Sequence, residues 1–174
     1  MTNESWGSFV DCLMSAEIQE MGIGYVVVAR RKSAQTIRCV SFVVDVFCLG
    51  VKDCLFQKCS EMNYGFIKEN LEEASKLIPV APSYAKKFLD GAVAYAKEIG
   101  FDPHPDFQRY FNSLSDVDSF ECKDMFSYGK DGKPLYVQGP NDSPTKVKRI
   151  MKTLEDKMGP EGFHYIVEVP AAQV

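Results

Sequence analysis

Histidine and tryptophan are scarce in this chain, at two and one residues, and glycine and proline hold only 12 and 9 of its 174 positions. That modest, unperiodic glycine and proline content excludes a collagen-like or low-complexity chain. No apolar run approaches the roughly 20 residues of a membrane-crossing helix. The longest, Val40 to Leu49, is interrupted by Asp45. Residues 1–15 contain Glu4 and Asp11 and no basic stretch, so no secretory leader is expected there. Between Tyr136 and Lys146 there is a single glycine, and no Gly-Lys-Ser/Thr follows it, which rules out a Walker loop. The acidic stretch Asp116, Asp118, Glu121 and Asp124 lacks the glycine and ligand spacing of a calcium loop and reads as a solvated connector.

What is present suits an ordinary folded protein: 45% hydrophobic, 12% aromatic and 25% charged residues. A chain of this length buries about 70% of its unfolded surface, enough for a core without covalent staples. One domain over residues 1–174 is expected, since no shift of composition marks a boundary. The formal charge of −4 disfavours non-specific nucleic-acid binding. Arg30-Arg31-Lys32, the densest basic run, is too short for a basic arm and reads as a solvated hairpin loop. Six cysteines stand at 12, 39, 48, 54, 59 and 122. Only His104 and His164 are available to join them in a zinc site, and neither lies near Cys48, Cys54 and Cys59 in sequence. The thiols therefore read as small buried hydrophobes in a reducing, cytoplasmic setting.

Trp6, Phe9, Val10, Leu13, Met14, Ile18 and Met21 recur at helical spacing, predicting a helix over 4–21 closed by Gly22. The β-branched runs Tyr25 to Ala29 and Thr36 to Phe47 predict a hairpin. In its second strand Val40, Phe42, Val44 and Val46 share one face, and Ile37, Cys39, Ser41, Val43, Asp45 and Phe47 the other. Both faces are apolar, which predicts an interior strand covered on both sides. Helices are expected near 51–61, 63–78 and 84–99, with a shorter one after Pro105. A second hairpin is expected about Asp131-Gly132, then a helix opened by Ser143-Pro144 and a strand from Phe163 to Val169. This order predicts an α+β fold: a mostly antiparallel sheet of two hairpins and a C-terminal strand, packed against several helices.

Asp45 is the most informative single residue, because a carboxylate buried without a partner, metal or proton costs several kcal/mol. Lys52 and Asp53 follow at the end of the strand. Asp45 and Asp53 together are candidate ligands for Mg²⁺ or Mn²⁺, whose preference is for oxygen. In the alternative reading Asp45 accepts hydrogen bonds from the loop and Asp53 caps a helix. Asp102-Pro103-His104-Pro105-Asp106 sets an imidazole between carboxylates, suited either to proton transfer or to a helix start. At Gly139 to Lys146 a strand leads through a loop into a helix whose free amides, with Lys146 and Lys148, offer an anion cradle unless Asp142 occupies them as a cap.

The stretches Val43-Val44-Asp45-Val46-Phe47-Cys48-Leu49-Gly50-Val51-Lys52-Asp53 and Tyr128 to Pro140 resemble a set of uncharacterised bacterial proteins. That set shares a Val-Asp-x-x-Cys-Leu-Gly-Val-Lys-Asp stretch after an Ala-Arg-Arg hairpin. The resemblance covers residues 24–60 and 104–144, implies a bacterial intracellular protein, and attaches no activity or cofactor. Two functional expectations follow from the residues. One is a binding or regulatory module, with a homodimer as a possible assembly, that recognises a protein partner or a small ligand and has no membrane role. The other is a metal-dependent phosphodiester hydrolase acting on nucleic acid, with Asp45 and Asp53 holding Mg²⁺ or Mn²⁺ and Lys52 or His104 assisting.

Overall fold

The β-branched runs form the expected hairpin, Ile23–Ser33 (β2) with Thr36–Asp45 (β3), at the heart of the sheet. The computed structural model describes residues 5–168. Ser8–Ser15 (β1), Gly50–Cys59 (β4) and Leu77–Pro79 (β5) complete a five-stranded antiparallel sheet in the order β4-β3-β2-β1-β5. A single helical turn, Ile18–Met21 (α1), links β1 to β2.

Each face of the sheet is covered, as the double-faced apolar pattern of β3 requires. Glu61–Ala74 (α2), capped where the Ser60 side chain accepts from the Asn63 amide, lays Tyr64, Ile67 and Leu71 over Leu13, Val27, Ala29, Ile37 and Cys39. Pro82–Glu98 (α3), with proline at its first position, sets Phe88, Leu89 and Ala92 against Val26, Val28, Val40, Phe42 and Val44. The alternation thus divides the two cores as the sequence implied within β3. The strand ends at Asp45 instead of Phe47, however, and Phe47, expected on the Cys39 face, packs with Val40, Phe42 and Val44 because it lies in the turn beyond the strand.

Two segments that read as helices are strands. β1 replaces most of the helix over 4–21, and β4 replaces the helix over 51–61. Both carry a β-bulge. In β1 the register steps from Phe9 opposite Arg30 to Asp11 opposite Ala29, leaving Val10 as the extra residue. In β4 it steps from Val51 opposite Val44 to Asp53 opposite Val43, leaving Lys52 extra. A bulge breaks the two-residue period. Val51 and Cys54 consequently reach the same core three positions apart, which is the spacing of a helix face.

The rest of the chain builds a smaller unit beside β4. Phe107–Phe111 (α4) is the short helix after Pro105. Leu135–Val137 (β6), Pro144–Met158 (α5) and His164–Ile166 (β7) form a strand–helix–strand crossover whose strands pair in parallel. The Asp131-Gly132 turn is present, with both residues at positive φ, but closes only a bridge between Lys130 and Lys133. The C-terminal strand therefore joins β6 rather than the main sheet, and Val169 lies outside the described residues. Ile150 and Leu154 of α5, with Tyr136, Phe163, Ile99, Leu49 and Cys48, form a third core. Among the described residues no helix is long and apolar enough to cross a membrane.

Arg30 is not in a solvated loop. It lies in β2, 4% exposed, with its guanidinium on the Asp116 carboxylate at 2.7 Å and donating to the Ser113 and Gly7 carbonyls. Asp116 is thereby an ion-pair partner instead of part of a free acidic connector.

Candidate functional site

The turn between β3 and β4 is built on Asp45. Its Oδ1 accepts the amides of Phe47 and Cys48, each at 3.0 Å, so the carboxylate that interrupts the apolar run closes the chain reversal after it. Burial pushes the carboxyl above its ordinary range, against the pull of the Leu49 amide, the Lys52 charge and the Cys48 and Phe47 amides. Gly50 follows at φ 66, where a Cβ would stand 2.8 Å from the Ala96 Cβ, so α3 packs directly on this turn.

Lys52 is the extra residue of the β4 bulge, and bulges re-aim side chains out of the ladder. Its ammonium lies beside Gly139, 3.6 Å from where a Cβ there would be. Lys52 borders two clefts. The larger, about 490 Å³, runs between the start of β4, the loop 100–105 and α5. The smaller, about 240 Å³, is mostly apolar, with Ile23, Phe47, Leu135 and Val137 in its walls and Asp45 at its side.

The larger cleft is walled by three elements held in place independently. The loop is tied to β4 where the His104 amide donates to the Val51 carbonyl at 2.9 Å. The His104 Nδ1 accepts the Asp106 amide at 3.2 Å, which leaves Nε2 3.7 Å from an Asp53 oxygen. Gly100, at φ 100, allows α5 to approach: a Cβ there would be 2.7 Å from the Thr153 Cγ2. The start of α5 is anchored through Asp142, which accepts from the Gly139 amide at 2.8 Å and the Tyr136 hydroxyl at 2.9 Å and pairs with Lys146 at 2.6 Å. Burial raises that carboxyl, but Lys146, the Gly139 amide and the Tyr136 hydroxyl together outweigh it and hold the group at about 2. The helix cap itself is Ser143, whose hydroxyl accepts from the Lys146 amide at 3.2 Å.

Of the four candidate catalytic residues, the structure places Lys52 and His104 on the walls of one cleft, and Asp53 beside His104. Asp45 is on the smaller cleft with Lys52. As candidate metal ligands, Asp45 and Asp53 have separate partners: the turn amides for the first, the Cys54 amide at 2.8 Å and His104 for the second. No helix begins at Asp53, which lies within β4. Among the described residues no three His, Cys, Asp or Glu side chains stand together as a metal-binding group.

Arg149 and Thr153, on the cleft wall, were not singled out from the sequence. With Lys146 they follow the three-to-four spacing of one helix face, which was visible. Nothing in the sequence placed the loop 100–105 opposite that face. The six cysteines are free thiols. Burial pushes Cys12, Cys39 and Cys54 up to about 12, and Cys48 higher still, so these thiols stay uncharged at neutral pH.

No family model, curated protein or solved structure matches this chain.

Proposed function

We propose that the protein is a non-catalytic binding module that takes a small ligand into the cleft between β4, the loop 100–105 and α5. The observation that carries this reading is the cleft itself. At about 490 Å³ it falls in the size class of small-molecule sites, roughly 300–1,000 Å³. Its walls come from three elements, each fixed by its own hydrogen bonds, as pre-organised recognition requires.

The polar groups nearby support binding over catalysis. The Thr153 hydroxyl is committed to the Arg149 carbonyl at 2.9 Å, and the His104 Nδ1 to the Asp106 amide. The buried thiols are protonated. The Thr153 hydroxyl and His104 Nδ1 thus have structural roles, and the apolar floor from Leu49, Val51, Phe101 and Ile150 offers a ligand an apolar contact.

A fragment screen followed by amide chemical shifts tests the reading. Hits are expected to move Lys52, Phe101, His104 and Thr153 together, and Thr153→Trp, which fills the cleft, is expected to abolish those shifts. Hits that cluster elsewhere, or shifts that persist in the tryptophan variant, refute it.

A further inference from the structure

The cleft has a charge opposite to that of the chain. The protein carries −4 overall, yet Lys52, Lys146 and Arg149 face this one space beside His104, with Asp102 the single carboxylate on its lining. Counting Asp142, which pairs with Lys146, the three cations face two acids and leave a surplus of one positive charge there, His104 left out of the count. Lys146 is partly satisfied by Asp142. Among the described residues, Lys52 and Arg149 take part in no ion pair. Two cations from different elements, a strand bulge and a helix face, are therefore held toward the same volume without a contact ion pair, Lys52 feeling Asp45 only at longer range.

Resting on the proposed role of the cleft as a ligand site, we infer that its ligand is a small organic phosphate monoester. A phosphate group offers three oxygens to cations that approach it from two walls. The planar guanidinium of Arg149 suits two phosphate oxygens at once, and the Lys52 ammonium supplies a point charge from the opposite wall. The cleft is far larger than the anion alone, and Phe101, Ile150, Leu49 and Val51 provide an apolar floor for the organic part. A carboxylate has two oxygens, both of which the Arg149 fork would occupy, whereas a phosphate keeps a further oxygen for Lys52. A nucleic-acid strand would meet an acidic chain outside the cleft.

The probes are phenyl phosphate, inorganic phosphate and sodium chloride at matched ionic strength, followed by amide shifts and calorimetry on the full chain. Phenyl phosphate is expected to saturate shifts at Phe101, His104 and Arg149, and to bind at least tenfold more tightly than inorganic phosphate. Arg149→Ala is expected to weaken phenyl phosphate tenfold or more, and Arg149→Lys by less, because a lysine keeps the charge but not the fork. Arg149 is exposed, so both variants are expected to keep the wild-type urea midpoint. A chloride response equal to that of phenyl phosphate overturns the inference. So does undiminished binding by Arg149→Ala. If neutral fragments occupy the cleft and phosphates do not, the phosphate assignment falls and the binding-module reading stands; if neither binds, both fall.

Discussion

Replacing Asp45 separates a requirement for an acceptor from a requirement for a charge. Two of the amides that it satisfies, at Phe47 and Cys48, are buried and converge on the same oxygen, Oδ1, and the Leu49 amide also acts on the carboxylate. Asp45→Ala leaves two buried N–H groups without an acceptor, at about 1–3 kcal/mol each. Removing a carboxylate that burial disfavours returns part of this, so the net loss is about 2–4 kcal/mol. Asp45→Asn retains an oxygen in the Oδ1 position and is expected to stay within about 1 kcal/mol of the wild type at neutral pH. The pH dependence has a definite sign. The folded carboxyl is raised above its unfolded value, so its contribution to stability is fully present below the unfolded pKa, about 3.9, and is lost as pH rises through the folded value. Asp45→Asn lacks that loss and therefore gains on the wild type between acid and neutral pH. Urea midpoints at several pH values, with unchanged m, measure all three effects. An alanine variant as stable as the wild type refutes the turn-closing role. An asparagine variant as damaged as the alanine one shows that the negative charge itself is needed, as a cation ligand would require.

Other outcomes follow from the same geometry. Asp142→Asn is expected to cost about 1–2 kcal/mol at neutral pH. The folded carboxyl, held at about 2, lies below its unfolded value, so the wild type loses this contribution as pH falls from about 4 toward 2, and acid titration of the variant should show a flatter profile. Arg30→Ala removes the donor to the Ser113 and Gly7 carbonyls, while Asp116, more than half exposed, turns to water, and chemical denaturation should register a loss of about 1–3 kcal/mol. Gly50→Ala places a Cβ against Ala96 at a positive φ and is expected to lower stability by about 2–4 kcal/mol by the same measurement. A thiol reagent should label the native protein slowly at Cys12, Cys39, Cys48 and Cys54 and all six cysteines rapidly in denaturant; fast native labelling of those four contradicts their buried, uncharged state.

Where one periodicity held without interruption, the fold was legible. The stripe of α3, the Ser-Pro start of α5 and the alternation of β3 each carry their own signal and lie where that signal puts them. β1 and β4 were misread for a shared reason: a single inserted residue in each turns a two-residue period into one that imitates a helix. Asp45 was recognisable as a carboxylate in need of partners, and those partners lie two and three residues ahead of it. Arg149 was not recognisable, because a charged residue on an amphipathic helix defaults to solvent. Only the docking of α5 across the loop 100–105, at Gly100, gives it a cleft to face.

The bulge at Lys52 makes chain length, more than residue identity, the variable that controls the proposed site. Val51 is already paired with Val44 and Asp53 with Val43, the next residue back along β3. Deleting Lys52 would restore a regular ladder with every other pairing partner of β4 unchanged, and would leave Val51 and Cys54 two positions apart on the same face, as an unbroken strand demands. One codon therefore separates a sheet that presents a cation to both clefts from one that presents none. Insertion or deletion at this one position is expected to add or remove the strand's cation while the ladder on either side persists.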